Sequence, residues 1–182
     1  MRRAVFIILA VAVLAAVSVV AVRAGTQSNQ MLPAVGQVAP TFTLPSQDGT
    51  QISLTSFRGK WVVLYFYPKD MTTGCTIEAH NFQRDLPLFE KQNAVILGVS
   101  IDTPDSHKQF CTKEGLTFRL LAAPEHKVVD AYGSLGSMMM MKMASRNTFL
   151  IDTQGKIVKV WTKVQFQHHS EEVLAALAEA QK

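Results

Sequence analysis

The sequence predicts an α/β fold, a central mixed β-sheet flanked by helices, preceded by an N-terminal hydrophobic helix. Three observations point there. Two apolar runs, Trp61–Tyr67 and Val95–Ser100, are rich in β-branched and aromatic residues without alternation, as in strands buried on both faces. Helical patterns follow each run. Two turn signals, Asp48-Gly49 and Thr153-Gln154-Gly155-Lys156, sit between short apolar segments in the manner of β-hairpins. A chain of 182 residues suits one domain with a proper core.

The chain opens with Met1-Arg2-Arg3, followed by Ala4 to Val22, nineteen residues of which only Ser18 lies outside the apolar set. A secretory signal core is usually shorter, about 7–15 residues, whereas about 20 apolar residues span a bilayer. Residues 1–24 therefore read either as a signal peptide cleaved after Val22-Arg23-Ala24 or as a retained N-terminal membrane anchor. Both readings leave the amino end in the cytoplasm and export the rest. They predict an extracytoplasmic, periplasmic protein, anchored to the inner membrane where the segment is kept. A buried core helix is the weaker reading, because an all-round apolar segment has no amphipathic face. Residues 25–33, beginning GTQSNQ, form a polar linker, and the folded domain spans 34–182.

Within the domain, Phe42 to Leu44 and Ile52 to Leu54 pair across Asp48-Gly49. Trp61 to Tyr67 (WVVLYFY) is a buried strand that Pro68 stops. Thr73 to Gln92 is helical, with Pro87 ending or kinking the helix. Val95 to Ser100 is the second buried strand, and Asp105 to Glu114 is a helix closed by Gly115. Phe118 to Leu121 reads as a short strand and His126 to Tyr132 as a short helix. Asn147 to Asp152 (NTFLID) and Ile157 to Trp161 make the second hairpin. Ser170 caps a last helix with Glu171 and Glu172 in its first turn, where the dipole favours acids. The order is a hairpin, β-α-β-α, a hairpin and a helix, which places helices on both faces and is compatible with a thioredoxin-like architecture.

Composition narrows the function. Of 18 Lys and Arg, three (Arg2, Arg3 and Arg23) lie in the leader, so 15 face 14 Asp and Glu in the rest, and a basic surface for nucleic acid loses its main support. At 48% hydrophobic residues, disorder is excluded. Two cysteines are too few for a disulfide scaffold or a four-cysteine zinc site, so each needs its own explanation.

Cys75 follows the buried strand within Tyr67-Pro68-Lys69-Asp70-Met71-Thr72-Thr73-Gly74-Cys75, which puts it in the first turn of a helix. Unpaired N–H groups there point at the sulfur and stabilise negative charge. A thiolate is the nucleophilic form of cysteine. The Thr72 hydroxyl is placed to curl back onto the sulfur or to hold an oxygen of a substrate, and Pro68 fixes the strand exit and shields the site. The competing reading is a buried cysteine acting as a small hydrophobe.

Pro68-x-x-x-Thr72-x-x-Cys75 resembles the active-site motif of peroxiredoxins. Tyr65-Phe66-Tyr67-Pro68-Lys69-Asp70 with Gly74-Cys75-Thr76-x-Glu78-Ala79 resembles the peroxiredoxin Q branch, also called bacterioferritin comigratory protein. Gly98-Val99-Ser100-Ile101-Asp102 with Ser106-His107-Lys108, Arg146-x-Thr148-Phe149-Leu150-Ile151-Asp152, Trp161-x-Lys163-Val164 and Glu171-Glu172-Val173-Leu174 extend the similarity from about Ala34 to Leu177. The resemblance implies a thioredoxin-like fold and a thiol-dependent peroxidase that reduces hydrogen peroxide and organic hydroperoxides. It implies Cys75 as peroxidatic nucleophile, with Thr72, the Gly74 and Cys75 amides and Arg146 stabilising the developing charge. Pro68 belongs to the same motif, and Glu78 orients Arg146 or the loop; the competing readings are a surface salt bridge for Arg146 and a solvated helix residue for Glu78. No cofactor or metal is implied, the reductant is thioredoxin-like, and the chain is expected to be a monomer.

The sequence departs from the branch at Thr73, where many relatives have proline, and at His80, where many have a resolving cysteine. The resemblance therefore points to Cys111, on the following helix, as resolving residue. Its disulfide with Cys75 requires Cα atoms within about 7 Å and hence unwinding of the first turn after Gly74. The alternatives are a spectator Cys111 or a permanent structural disulfide.

Met138 to Met143 (MMMMKM) reads as an adaptable apolar loop, with a lip for organic peroxides, an oxidisable buffer or a soft-metal site as the other options. His168-His169 lacks further metal ligands, and Lys60, Lys69 and Lys163 add positive potential. The rival functions are an exported, membrane-tethered thiol–disulfide oxidoreductase, disfavoured because Glu78 stands where Cys-x-x-Cys needs cysteine, and a non-enzymatic holdase of the same fold.

Overall fold

The structure, a computed structural model, describes residues 31–138 and 140–182. The hydrophobic helix expected over Ala4 to Val22, cleaved or retained, lies outside the described residues. Among the described residues no helix is long and apolar enough to cross a membrane.

A hairpin of β1 (Thr43–Pro45) and β2 (Gln51–Ser53) leads through one 3-10 turn, Leu54–Phe57, into β3 (Trp61–Phe66). Then follow α1 (Thr73–Lys91), β4 (Ala94–Ser100), α2 (Pro104–Glu114), β5 (Arg119–Ala122) and α3 (Lys127–Ala131). A second hairpin, β6 (Leu135–Met138) and β7 (Met141–Ala144), precedes β8 (Asn147–Ile151), β9 (Ile157–Thr162) and α4 (His169–Ala180). The main sheet has the order β5-β4-β3-β8-β9. Strand β3 is central, parallel to β4 (Val62 opposite Val95) and antiparallel to β8 (Val62 opposite Ile151). This position explains its unbroken apolar run, because neither face meets water. Parallel neighbours need a crossover, and α1 and α2 supply the two that link β3, β4 and β5.

Alternation along β3 divides the core. Val62, Leu64 and Phe66 face Phe42, Leu44, Ile52, Val129 and Tyr132, the side covered by the first hairpin and α3. Val63, Tyr65 and Tyr67 face Phe82, Phe89, Phe110 and Val173 from α1, α2 and α4. The expected mixed sheet with helices on both faces is thus present, three long helices on one side and one short helix on the other. Gly115 closes α2 with φ 66, the left-handed conformation that a side chain would strain.

Three local expectations differ. Helix α1 continues through Pro87 instead of ending there. The residue is exposed, so the Gln83 carbonyl that loses its helical partner can turn to water. Ser170 does not cap α4; it lies inside the first turn, and its Oγ donates to Asp85 Oδ2 at 2.7 Å. The methionine-rich stretch is a hairpin rather than a loop, with Ser137 opposite Lys142. At its tip Met140 has φ 65 and is 100% exposed.

Candidate active site

The central strand delivers the loop that carries the sulfur. Beyond β3, the Tyr67 amide still donates to Val99 O at 3.1 Å, and half-buried Pro68 then turns the chain out of the sheet. Thr72 is the extended N-cap of α1, with φ −86 and ψ 148. The first bond into the helix is Thr76 N to Thr72 O, at 2.9 Å. The amides of Thr73, Gly74 and Cys75 precede it and have no partner within the helix, and this end carries the positive pole of the helix dipole.

Cys75 is 2% exposed, its sulfur enclosed beside the second core layer. Arg146, between β7 and β8, donates from Nη2 to Cys75 Sγ at 3.1 Å and from Nη1 to Glu78 Oε2. Glu78, one turn beyond Cys75 on α1, is 1% exposed. Burial pushes its carboxyl up to about 7, against the opposing pull of the Arg146 charge and hydrogen bond. Its Oε1 is buried without a partner. Arg146 Cζ also lies over the Phe166 ring, 5.1 Å from the centroid. Gly74 makes room for this arrangement: a Cβ there would lie 2.9 Å from Arg146 Nη2 and 3.2 Å from Phe166 Cε1.

The structure thus brings Gly74, Cys75, Glu78 and Arg146 together. Thr72 is placed differently from the reading in which its hydroxyl curls onto the sulfur: Oγ1 donates to Lys69 O at 3.0 Å and holds the loop instead. Cys111 stays apart on α2, where burial raises its thiol to about 11, and both cysteines are free thiols. They border the same core layer, which includes Tyr65. His168 is exposed, whereas His169 is a core residue. Its Nε2 lies 2.8 Å from Thr148 Oγ1, and burial, followed by the Arg146 charge, lowers it to about 4. Among the described residues no group of three or more His, Cys, Asp or Glu is arranged to hold a metal ion.

Sequence reasoning missed two features. One is a buried polar network beneath the loop. Asp70 accepts from Tyr67 Oη at 2.7 Å and Ser106 Oγ at 2.7 Å, and pairs with His107 Nδ1 at 2.8 Å. The Asp70 amide donates to Asp102 Oδ2 at 3.0 Å. Burial pulls the Asp70 carboxyl upward, but hydrogen bonds from His107, Ser106 and Tyr67 and the His107 charge outweigh it and hold it below its ordinary value. A carboxylate directly after Pro68-Lys69 was the available signal. The other is Phe166, a lone aromatic among polar residues, for which the sequence offers no signal.

Residues 35–160 match the AhpC/TSA family. The chain is 41% identical over 149 residues to Peroxiredoxin Bcp of Bacillus subtilis, covering 79% of this chain and 94% of that one. It is 39% identical over 148 residues to Peroxiredoxin Bcp of Escherichia coli, covering 79% and 95%. Among solved structures it is similar to a Xylella fastidiosa PrxQ mutant, with TM-score 0.79, 34% identity and coverage of 84% and 99%. A Xanthomonas campestris peroxiredoxin Q structure gives TM-score 0.74, 39% identity and coverage of 78% and 92%.

These relatives correct the expected localisation. The matched region accounts for 94% and 95% of the Bacillus and Escherichia proteins, leaving no room in them for a counterpart of residues 1–24. The export, periplasmic placement and membrane anchoring expected from the leader therefore find no support in the family, nor does a tethered oxidoreductase. On sequence, fold and site alike, the chain belongs to the AhpC/TSA family and is a peroxiredoxin of the bacterioferritin comigratory protein branch.

Proposed function

We propose that residues 34–182 reduce hydroperoxides through Cys75 as peroxidatic nucleophile. The observation that carries this reading is the 3.1 Å contact between Arg146 Nη2 and Cys75 Sγ at a helix N-terminus. The thiolate attacks one peroxide oxygen as the O–O bond breaks. Sulfur loses two electrons and becomes a sulfenic acid, and the other oxygen takes a proton and leaves as water or alcohol. Arg146 and the amides of Gly74 and Cys75 stabilise the developing charge, Glu78 orients Arg146, and Thr72 and Pro68 shape the loop. A solved Xanthomonas campestris bacterioferritin comigratory protein is described by its alkyl peroxide reduction activity, which supports organic hydroperoxides as substrates beside hydrogen peroxide.

Cys111 then attacks the sulfenic acid, forming a Cys75–Cys111 disulfide with loss of water, and a thioredoxin-like dithiol reduces it. Support comes from the Xanthomonas campestris peroxiredoxin Q, solved as two single cysteine-to-serine mutants whose positions are thirty-six residues apart, the separation of Cys75 and Cys111. A thiol held near 11 is a poor nucleophile, so α1 or α2 opens locally to bring Cys111 to water and to Cys75. Cys75→Ser abolishes peroxide consumption. Mass spectrometry after one equivalent of peroxide finds the intramolecular disulfide; a persistent sulfenic acid with Cys111 free refutes the resolving role.

A further inference from the structure

The structure assigns to Phe166 a positioning role in the peroxide reaction: its ring holds the plane of the Arg146 guanidinium so that Nη2 stays directed at Cys75 Sγ. This inference rests on Cys75 being the nucleophile. The fork of Arg146 is held at two points of its edge, Nη1 to Glu78 and Nη2 to the sulfur. Those in-plane contacts leave the two flat faces of the guanidinium to be fixed by something else. The Phe166 ring lies beneath Arg146 Cζ, which is 5.1 Å from the ring centroid, within the range of a cation–π contact, and is the group placed to do so. The Arg146 side chain is 17% exposed.

The ring is itself anchored. Phe166 is half-buried in the irregular connector from β9 to α4, where a side chain would otherwise wander. Asn81 fixes that connector, its Nδ2 donating to the carbonyls of Phe166 at 3.2 Å and Gln167 at 2.8 Å. Asn81 lies on α1, seven residues beyond Gly74, so residues 74, 78 and 81 share one helix face. Gly74 receives the ring edge, Glu78 receives the guanidinium and Asn81 ties down the backbone beneath the ring. The same helix that presents the sulfur thereby sets the position of both Arg146 and the aromatic that flattens it.

The role requires an aromatic face, not bulk alone, and that separates it from packing. The test compares Phe166→Tyr, Phe166→Leu and Phe166→Ala in the full chain. Two readouts are used: the second-order rate of Cys75 oxidation by hydrogen peroxide, and the pH profile of Cys75 alkylation by iodoacetamide. Phe166→Leu and Phe166→Ala are expected to slow oxidation about three- to thirty-fold and to move the alkylation profile to higher pH, while Phe166→Tyr stays near wild type. Leucine performing as well as tyrosine overturns the inference, as does an alanine variant equal to wild type. Should alanine unfold the connector, the tyrosine–leucine pair still decides. A wild-type chain that consumes no peroxide sinks the proposed function instead, while the alkylation profiles go on reporting the Phe166 arrangement.

Discussion

Asp70 Oδ2 lies 2.8 Å from His107 Nδ1, joining the loop before Cys75 to the helix that carries Cys111. Both side chains are buried, and Ser106 and Tyr67 donate to the same carboxylate. His107 and Cys111 are four residues apart, so they share the inward face of α2. Asp70→Ala leaves three polar groups without their acceptor, buried Tyr67 and His107 and half-buried Ser106. A loss of about 3–5 kcal/mol in urea unfolding is expected, and less for Asp70→Asn, which keeps one acceptor. Because the native carboxyl sits below its ordinary value, its contribution is present above about pH 4 and is lost as pH falls through the native titration. An unchanged midpoint in Asp70→Ala would remove the network from the account of stability.

Glu78 and His169 act oppositely on stability. Glu78 titrates near 7 in the native state against an ordinary 4.5, so the folded chain holds the extra proton between these values and stability falls as pH rises through them. His169 titrates near 4 against an ordinary 6.5, so the unfolded chain holds the extra proton and stability falls as pH drops from 6.5 to 4. Each effect amounts to about 3 kcal/mol at most. The wild type is therefore expected to show a nearly flat stability between pH 4.5 and 6.5. Glu78→Gln unmasks a rise with pH and His169→Gln a fall, both read from urea midpoints. Slopes of the same sign in the two variants would contradict the assignment.

Gly74→Ala is expected to leave the fold intact and slow the reaction with peroxide by about tenfold or more. The new methyl meets Arg146 Nη2 at 2.9 Å, and either the guanidinium or the Phe166 ring has to retreat. Circular dichroism checks the fold and stopped-flow oxidation checks the rate; wild-type kinetics would show that neither position matters.

Arg146→Lys keeps the charge but not the planar fork. An ammonium cannot serve Glu78 and Cys75 from fixed directions and offers no flat face to Phe166. A fall of about 10- to 100-fold in the oxidation rate is expected. A lysine variant as fast as wild type would reduce Arg146 to a point charge.

The strands and the sulfur were legible because their signals are local. Trp61–Tyr67 announces a central strand by composition, and Pro68, Thr72, Gly74, Cys75 and Glu78 fall within eleven residues. Arg146 could be assigned only through the resemblance, since nothing nearby in sequence marks it from a surface cation. Asp70 and His107 are 37 residues apart, and only the crossover through α1 and β4 makes them neighbours. Of the two placements open to the Thr72 hydroxyl, the one on the sulfur gives way to a bond to the Lys69 carbonyl, and rotamer choice leaves no trace in sequence. Ser170 followed the capping pattern but found a stronger acceptor in Asp85 across the helix pair.

Gly74, Cys75, Glu78 and Asn81 all ride on α1. Its first turns are consequently a single cassette, and on the proposed mechanism fraying that carries the sulfur outward also takes it away from Arg146 and from its row of amides. On that mechanism, speed toward oxidant and availability for disulfide exchange belong to different conformers, and the ease of converting one into the other sets how long an oxidised sulfur stays within reach of a second oxidant molecule.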